Sequence, residues 1–153
     1  MLSNWLNVPH FPQENDFTCL QACVRMSLAY HQYHTTETDI SQLFNSNKIS
    51  TPISQVKKLH QWGYDVFYGS VDMAQLRQWL AEGVVPIVCL QTEFLGYWQV
   101  ITHHTAVIIG IDKTHVYLND PAFHVVPQIA SLDNFQIGWQ KMDRIAIAIS
   151  IPC

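Results

Sequence analysis

The chain predicts an α+β fold, an N-terminal helical half packed on a C-terminal antiparallel sheet. Helix caps and near-helical apolar spacing fall mainly in the first half, and short strand-like runs split by turns fill the second. No repeat, low-complexity tract or Gly/Ser linker interrupts the 153 residues, so residues 1–153 read as one domain. With 48% apolar and 13% charged residues the chain can close a core without disulfides.

Val8 to Asp16, with two prolines and several turn formers, reads as an extended loop. Thr18 is placed to cap a helix from Cys19 to Tyr33, with a small or apolar face of Leu20, Cys23, Val24, Ser27, Leu28 and Tyr30. A short helix is expected over Asp39–Phe44. Another starts at Thr51-Pro52, a cap with proline at the first helical position, and stops before Gly63. Tyr64–Tyr68 reads as a strand, and Asp72 caps a helix over Met73–Ala81 that ends at Gly83. Val85–Gln91 reads as a buried strand, followed by a loop over Thr92–Thr102 that carries Phe94, Tyr97 and Trp98. His104–Ile111 and Thr114–Asn119 form a hairpin around Asp112-Lys113. A short strand is expected over His124–Gln128, a small helix from Ser131 to Phe135, and a closing strand over Arg144–Ile151. Trp139 is expected at the sheet edge.

A formal charge of −4, with only Lys57-Lys58 adjacent among eight basic residues, gives no stripe for phosphate backbones. Nucleic acid is therefore not an expected partner. Met1–Asn7 has neither the charge nor the apolar run of a signal peptide, and no stretch approaches the ~20 apolar residues of a membrane span. No membrane association is expected; the expected location is cytoplasmic, with non-Sec secretion left open. Four cysteines at these spacings are not a disulfide framework, and Cys153 is terminal without a prenylation motif. Eight histidines fall in no zinc-site pattern, so no metal and no other cofactor is expected.

Cys19 opens the first long helix, where free N–H groups and the helix dipole favour a thiolate. Gln13, six positions upstream, can join the Cys19 N–H in holding an oxyanion. His104 begins a strand, and Asp120, in Asn119-Asp120-Pro121, ends its hairpin partner. The two stand eight residues either side of position 112, so a hairpin turning there sets them together, where the carboxylate can orient the imidazole. Cys23, one turn after Cys19, reads as core. His103 should face away from His104. Phe94, Tyr97 and Trp98 either wall a cleft or pack on their own domain, and His10 and Phe11 flank the Gln13 loop.

Gln13 with Thr18-Cys19-x2-Ala22-Cys23, then His104-x-Ala106-Val107-Ile108-Ile109-Gly110-Ile111-Asp112, then Val116-Tyr117-Leu118-Asn119-Asp120-Pro121 resembles the bacteriocin-leader-processing (double-glycine) cysteine peptidases and their stand-alone peptidase-like relatives. The likeness runs from about Val8 to Ile151, with a late Phe135 and Trp139. It implies a papain-like fold with Cys19 and His104 as catalytic pair, Asp120 orienting and Gln13 at the oxyanion. Where many relatives carry glycine and proline after the cysteine, this chain has Leu20-Gln21, side chains expected to narrow the cleft. Leu20, Gln21, Trp98 and His103 are accordingly candidate substrate-binding residues. The implied function is a peptidase or amidohydrolase acting on a peptide or protein through a Cys19 thioester. An acyl transferase using the same pair, or a silent peptide-binding module, remains an alternative, and the oligomeric state is open.

Overall fold

A computed structural model of the chain describes residues 5–46 and 51–152. Cys153, and the first part of the Met1–Asn7 segment read for a targeting signal, lie outside the described residues. The helices are α1 (Cys19–Tyr30), α2 (Glu37–Leu43), α3 (Met73–Glu82) and α4 (Leu132–Gln140). The strands are β1 (Asp65–Ser70), β2 (Pro86–Gln91), β3 (His103–Ile111), β4 (His115–Asn119), β5 (Gln128–Ser131) and β6 (Ile145–Ser150). They form one six-stranded sheet in the order β1-β6-β2-β3-β4-β5, every neighbouring pair antiparallel. The expected α+β architecture is present, with α1 laid against β3 at the middle of the sheet.

Side-chain caps position the helix starts. Thr36, Asp72 and Ser131 each accept from the N–H three residues on, at Asp39, Gln75 and Asn134. Thr18 does not cap α1 in this way. Its hydroxyl instead accepts from Asn15 N–H and donates to the Asn15 carbonyl, both at 3.0 Å, so it closes the preceding loop. α1 stops at Tyr30, short of the expected Tyr33, because Gln32 takes a left-handed conformation. α4 runs five residues past the expected Phe135, and Trp139 is not at an edge. It is buried, its Nε1 donating to the Ile145 carbonyl at 3.0 Å. At Gly138, α4 comes so near β2 that a Cβ would stand 2.8 Å from the Gln91 carbonyl oxygen, and only glycine fits there.

The segment after Thr51-Pro52 is a 3₁₀ helix, Ile53–Trp62, with Pro52 outside it rather than at its first helical position. The apolar residues Ile53, Val56, Leu59 and Trp62 recur every third position, the period that stacks side chains on one face of a 3₁₀ helix. Val56 and Leu59 are buried, while Ile53 and Trp62 pack against the core. β5 begins at Gln128, the last residue of the expected His124–Gln128 strand. Pro127 has no N–H for the ladder, so pairing with β4 starts only beyond it, Gln128 opposite Leu118.

The β3–β4 hairpin carries a bulge between Ile108 and Gly110, and Asn119 stands opposite Val107. Asp112 holds the turn by accepting from Thr114 N–H, His115 N–H and the Tyr117 hydroxyl. The N-terminal loop straps across this hairpin. Leu6 N–H donates to Ile109, Asn119 Nδ2 to the Val8 carbonyl, and Gln13 N–H to Pro121 at 2.7 Å. That strap carries Gln13 and Cys19 to the end of β3 where His104 begins.

Candidate active site

Cys19 is the first residue of α1, where helix geometry leaves its N–H without an intrahelical partner. β3 runs past this helix start and presents His104, only 6% exposed. Asp120, fully buried just beyond β4, accepts on Oδ1 from His104 Nε2 at 2.7 Å. The Ala122 N–H reaches the same oxygen at 3.0 Å. Its Oδ2 accepts from the Tyr97 hydroxyl and Trp98 Nε1, each at 2.9 Å. Four donors on a buried carboxylate keep it ionised and fix its position. With Nε2 engaged, the other ring nitrogen is the one left to serve Cys19, which borders the same cavities as His104.

The expected meeting of His104 and Asp120 occurs, but not by the expected register. β4 ends opposite Val107, and Asp120 reaches His104 from the turn that follows.

Charges within the trio support one another. Burial pushes the Cys19 thiol up, but the hydrogen bond and charge of His104, with hydrogen bonds to Thr105, hold it below its ordinary value. Burial pulls the His104 imidazole down, yet its bonds to Asp120 and Cys19 carry it up to about 9. Burial pushes Asp120 up, and His104 outweighs it, leaving the carboxyl below its usual range. These directions favour charge on all three groups, a thiolate and an imidazolium backed by a carboxylate. The neighbouring thiols are the reverse: burial drives Cys23 well up and Cys89 to about 12. Alkylation by iodoacetamide, mapped residue by residue across pH, is therefore expected to reach half its maximal rate at Cys19 below the ~8.5 of a free thiol. Cys23 and Cys89 should stay unmodified in the folded protein. A Cys19 profile coincident with that of a free thiol would contradict the ion pair.

Gln13 borders the same cavity as Cys19 and His104. Its Nε2 donates to the Asn15 carbonyl at 2.8 Å, which leaves the second amide hydrogen for another acceptor. Leu20 is buried and borders Cys19. Gln21 does not face the cleft. Its fully buried amide donates to the hydroxyls of Ser41, Ser46 and Thr51 at 3.2, 3.2 and 2.7 Å, tying α1 to the end of α2 and the start of the 3₁₀ segment. A residue two past the helix start points away from the one that opens it, so Gln21 is a structural clamp and not a substrate contact. Gln21→Leu is expected to cost about 1–3 kcal/mol in urea unfolding while leaving the Cys19 alkylation rate unchanged.

Trp98 borders the cleft, sets its ring edge-on to His104 at 4.7 Å between centroids and bonds Asp120. His103 is exposed but, contrary to the strand alternation expected, borders the cleft beside His104. Phe94 packs on α4 near Gly138. His10 is held by the Phe123 carbonyl at 2.6 Å, and Phe11 lies under the Arg25 guanidinium. Nothing local in the sequence distinguishes Thr105, and Tyr97 is visible there only as one of three loop aromatics that either wall a cleft or pack on their own domain, not as a partner of Asp120. Glu37, a buried carboxylate, was also missed; it accepts from Glu14 N–H at 3.0 Å and so anchors the Gln13 loop. Among the described residues no group of three metal-ligating side chains gathers, and no helix is long and apolar enough to cross a membrane.

The chain matches the Peptidase_C39 like family over residues 5–147. It belongs to that family. Membership makes this C39-like chain a cysteine protease-like hydrolase. Solved structures agree on the papain-like fold. The peptidase domain of Streptococcus ComA, a bifunctional ABC transporter of a quorum-sensing pathway, superposes with a TM-score of 0.76 at 18% identity, over 95% of this chain and all of that one. A protein named as a C39-like peptidase from Bacillus anthracis gives 0.79 at 14% identity, over 99% of this chain and 98% of that one. A double glycine motif protease from an AMS/PCAT transporter, in complex with the leader peptide, gives 0.75 at 16% identity, over 97% and 94%. No curated protein matches the sequence.

Proposed function

We propose that residues 1–153 form one peptidase domain that cleaves a peptide bond through a thioester on Cys19. The observation that carries this reading is the half-buried Cys19 at the start of α1, bordering one cleft with His104, whose ring is held by the buried Asp120 at 2.7 Å. The Cys19 thiolate adds to the scissile carbonyl, and the resulting oxyanion is met by the Cys19 N–H and the free amide hydrogen of Gln13. As the C–N bond breaks, His104 gives its proton to the departing amine, leaving an acyl-thioester and a neutral imidazole. Water then adds to the thioester, His104 taking its proton. Collapse expels the thiolate and an acid, restoring the ion pair. Asp120 keeps Nε2 protonated throughout, and Tyr97 and Trp98 hold Asp120. A relative crystallised with a leader peptide supports a peptide as substrate.

The test is cleavage of a synthetic peptide pool by freshly reduced protein, compared with protein whose Cys19 has been fully alkylated, with products read by mass spectrometry. New C-terminal acids should appear only with the free thiol. Cleavage that survives complete Cys19 alkylation defeats the proposal. Amides formed with an added amine would reassign the site to acyl transfer.

A further inference from the structure

Gln13 lies on an irregular loop whose next three residues, Glu14, Asn15 and Asp16, are exposed. Such a segment moves unless it is tied down, and misplacing a reacting group by about 1 Å can cost on the order of 10²-fold in rate. Three successive backbone N–H groups supply the ties. Gln13 N–H donates to the Pro121 carbonyl at 2.7 Å, Glu14 N–H to Glu37 Oε2 at 3.0 Å, and Asn15 N–H to Thr18 Oγ1 at 3.0 Å. The Asn15 carbonyl in turn accepts from Gln13 Nε2 at 2.8 Å, from Thr18 N–H at 3.2 Å and from the Thr18 hydroxyl at 3.0 Å. The direction of the Gln13 amide is therefore set by the peptide units on either side of Glu14.

The middle tie comes from α2, and α2 has no need of it for its own start. Glu37 opens that helix and is only 2% exposed, while Thr36 already caps it by accepting from Asp39 N–H. A carboxylate in a first turn can favour the helix dipole from the surface, whereas burying it costs free energy. Its Oε1 has no hydrogen-bond partner among the described residues, which leaves the Glu14 N–H as the donor that the buried group serves. Arg25 of α1 braces the same stretch. Its guanidinium lies 4.0 Å from the centre of the Phe11 ring, approaches Glu14 Oε2 at 3.6 Å, and donates through Nε to the Thr35 carbonyl at 3.1 Å. Phe11 and Glu14 stand on the two sides of Gln13, so α1 and α2 together grip the loop around it. Resting on the thioester reading above, we propose that Glu37 is a positioning residue for acylation, aiming the Gln13 amide at the oxyanion by holding the Glu14 N–H. It acts through Gln13 alone. Its removal therefore slows reactions that pass through an oxyanion and spares those that do not.

The experiment times two small reagents at Cys19, with adducts located by mass spectrometry. p-Nitrophenyl acetate acetylates the thiol through an oxyanion and releases p-nitrophenolate; iodoacetamide alkylates it by displacing iodide, with no oxyanion. Glu37→Leu is expected to slow acetylation roughly tenfold or more while leaving alkylation unchanged. Glu37→Gln, which keeps a carbonyl acceptor for the Glu14 N–H, should restore most of the rate. Gln13→Ala should slow acetylation as well, and adding Glu37→Leu to it should cost nothing further. Replacing the Gln13–Glu14 amide by an ester deletes only the donor N–H and should match Glu37→Leu, whatever the leucine does to folding. Wild-type acetylation in the ester protein overturns the positioning role and leaves the thioester reading standing. So does a Glu37→Leu loss that adds to that of Gln13→Ala, or one that iodoacetamide shares in full. Wild-type protein that is alkylated but never acetylated at Cys19 defeats the thioester reading itself, and this inference with it.

Discussion

Cys19→Ser and His104→Ala are each expected to lower peptide turnover by roughly 10³- to 10⁶-fold, with the double variant no worse than the poorer single one. The two side chains act as one unit. Without the imidazole the thiol loses both the hydrogen bond and the charge that hold it low against burial, so its ordinary, largely protonated state returns. Without the thiol the imidazole has nothing to activate but water. Cys19 is only partly buried at a helix start, and exchanging sulfur for oxygen leaves no cavity, so thermal unfolding of Cys19→Ser should match wild type. Steady-state rates on a peptide cleaved by the wild-type protein give the measurement. Retention of a tenth of the rate in either single variant would remove the pair from the reaction, and additive losses would mean that they act separately.

Asp120→Ala is expected to have the largest effect on stability, about 3–5 kcal/mol in urea unfolding at neutral pH, alongside a severe loss of turnover. The carboxylate is completely buried and receives four donors. Removing it strands the Tyr97 hydroxyl, the Trp98 indole N–H and a raised imidazole in a space that water does not readily enter. Asp120→Asn is no remedy. Its amide NH₂ must face either His104 Nε2 or the Tyr97–Trp98 pair, placing donor against donor. The pH dependence follows from the directions of the shifts. Asp120 is depressed in the folded protein, so its contribution is complete above the unfolded value of ~3.9 and is lost as pH falls through the lower folded value. His104 is raised to about 9, so its contribution is complete below the unfolded ~6.5 and fades as pH climbs through 9. Asp120 and His104 together thus stabilise most between those limits. Asp120→Ala should flatten the stability curve on both sides, and a curve parallel to wild type would show that the pair is energetically idle.

The elements that were legible in the chain are those governed by neighbours within a turn. Asp72 and Ser131 each reach an N–H three residues on, and both were readable as caps. Gly63 and Gly83 end their helices with positive φ, as their positions suggested. The Thr51-Pro52 signal misled because a local start motif says nothing of the helix type that follows. The three-residue period of Ile53, Val56, Leu59 and Trp62 carried that information and points to the tighter helix found there. The hairpin was legible, but its register was not. A bulge at Ile108–Gly110 shifts the partner strand without leaving a signature in the residue pattern.

By itself the chain determined that a cysteine opens a helix, that a histidine lies at the start of a strand, and that an aspartate follows the end of the next one, each set by periodicity and turn chemistry acting over a few residues. Tertiary packing alone decided that Tyr97 and Trp98 hold Asp120, that Gln21 turns inward to three hydroxyls, and that Phe17, Ile53, Cys89 and Met142 converge beside Leu20. Those contacts join positions tens of residues apart. Their existence depends on how whole elements settle against one another to fill space and satisfy buried polar groups, a condition no local stretch of sequence can express.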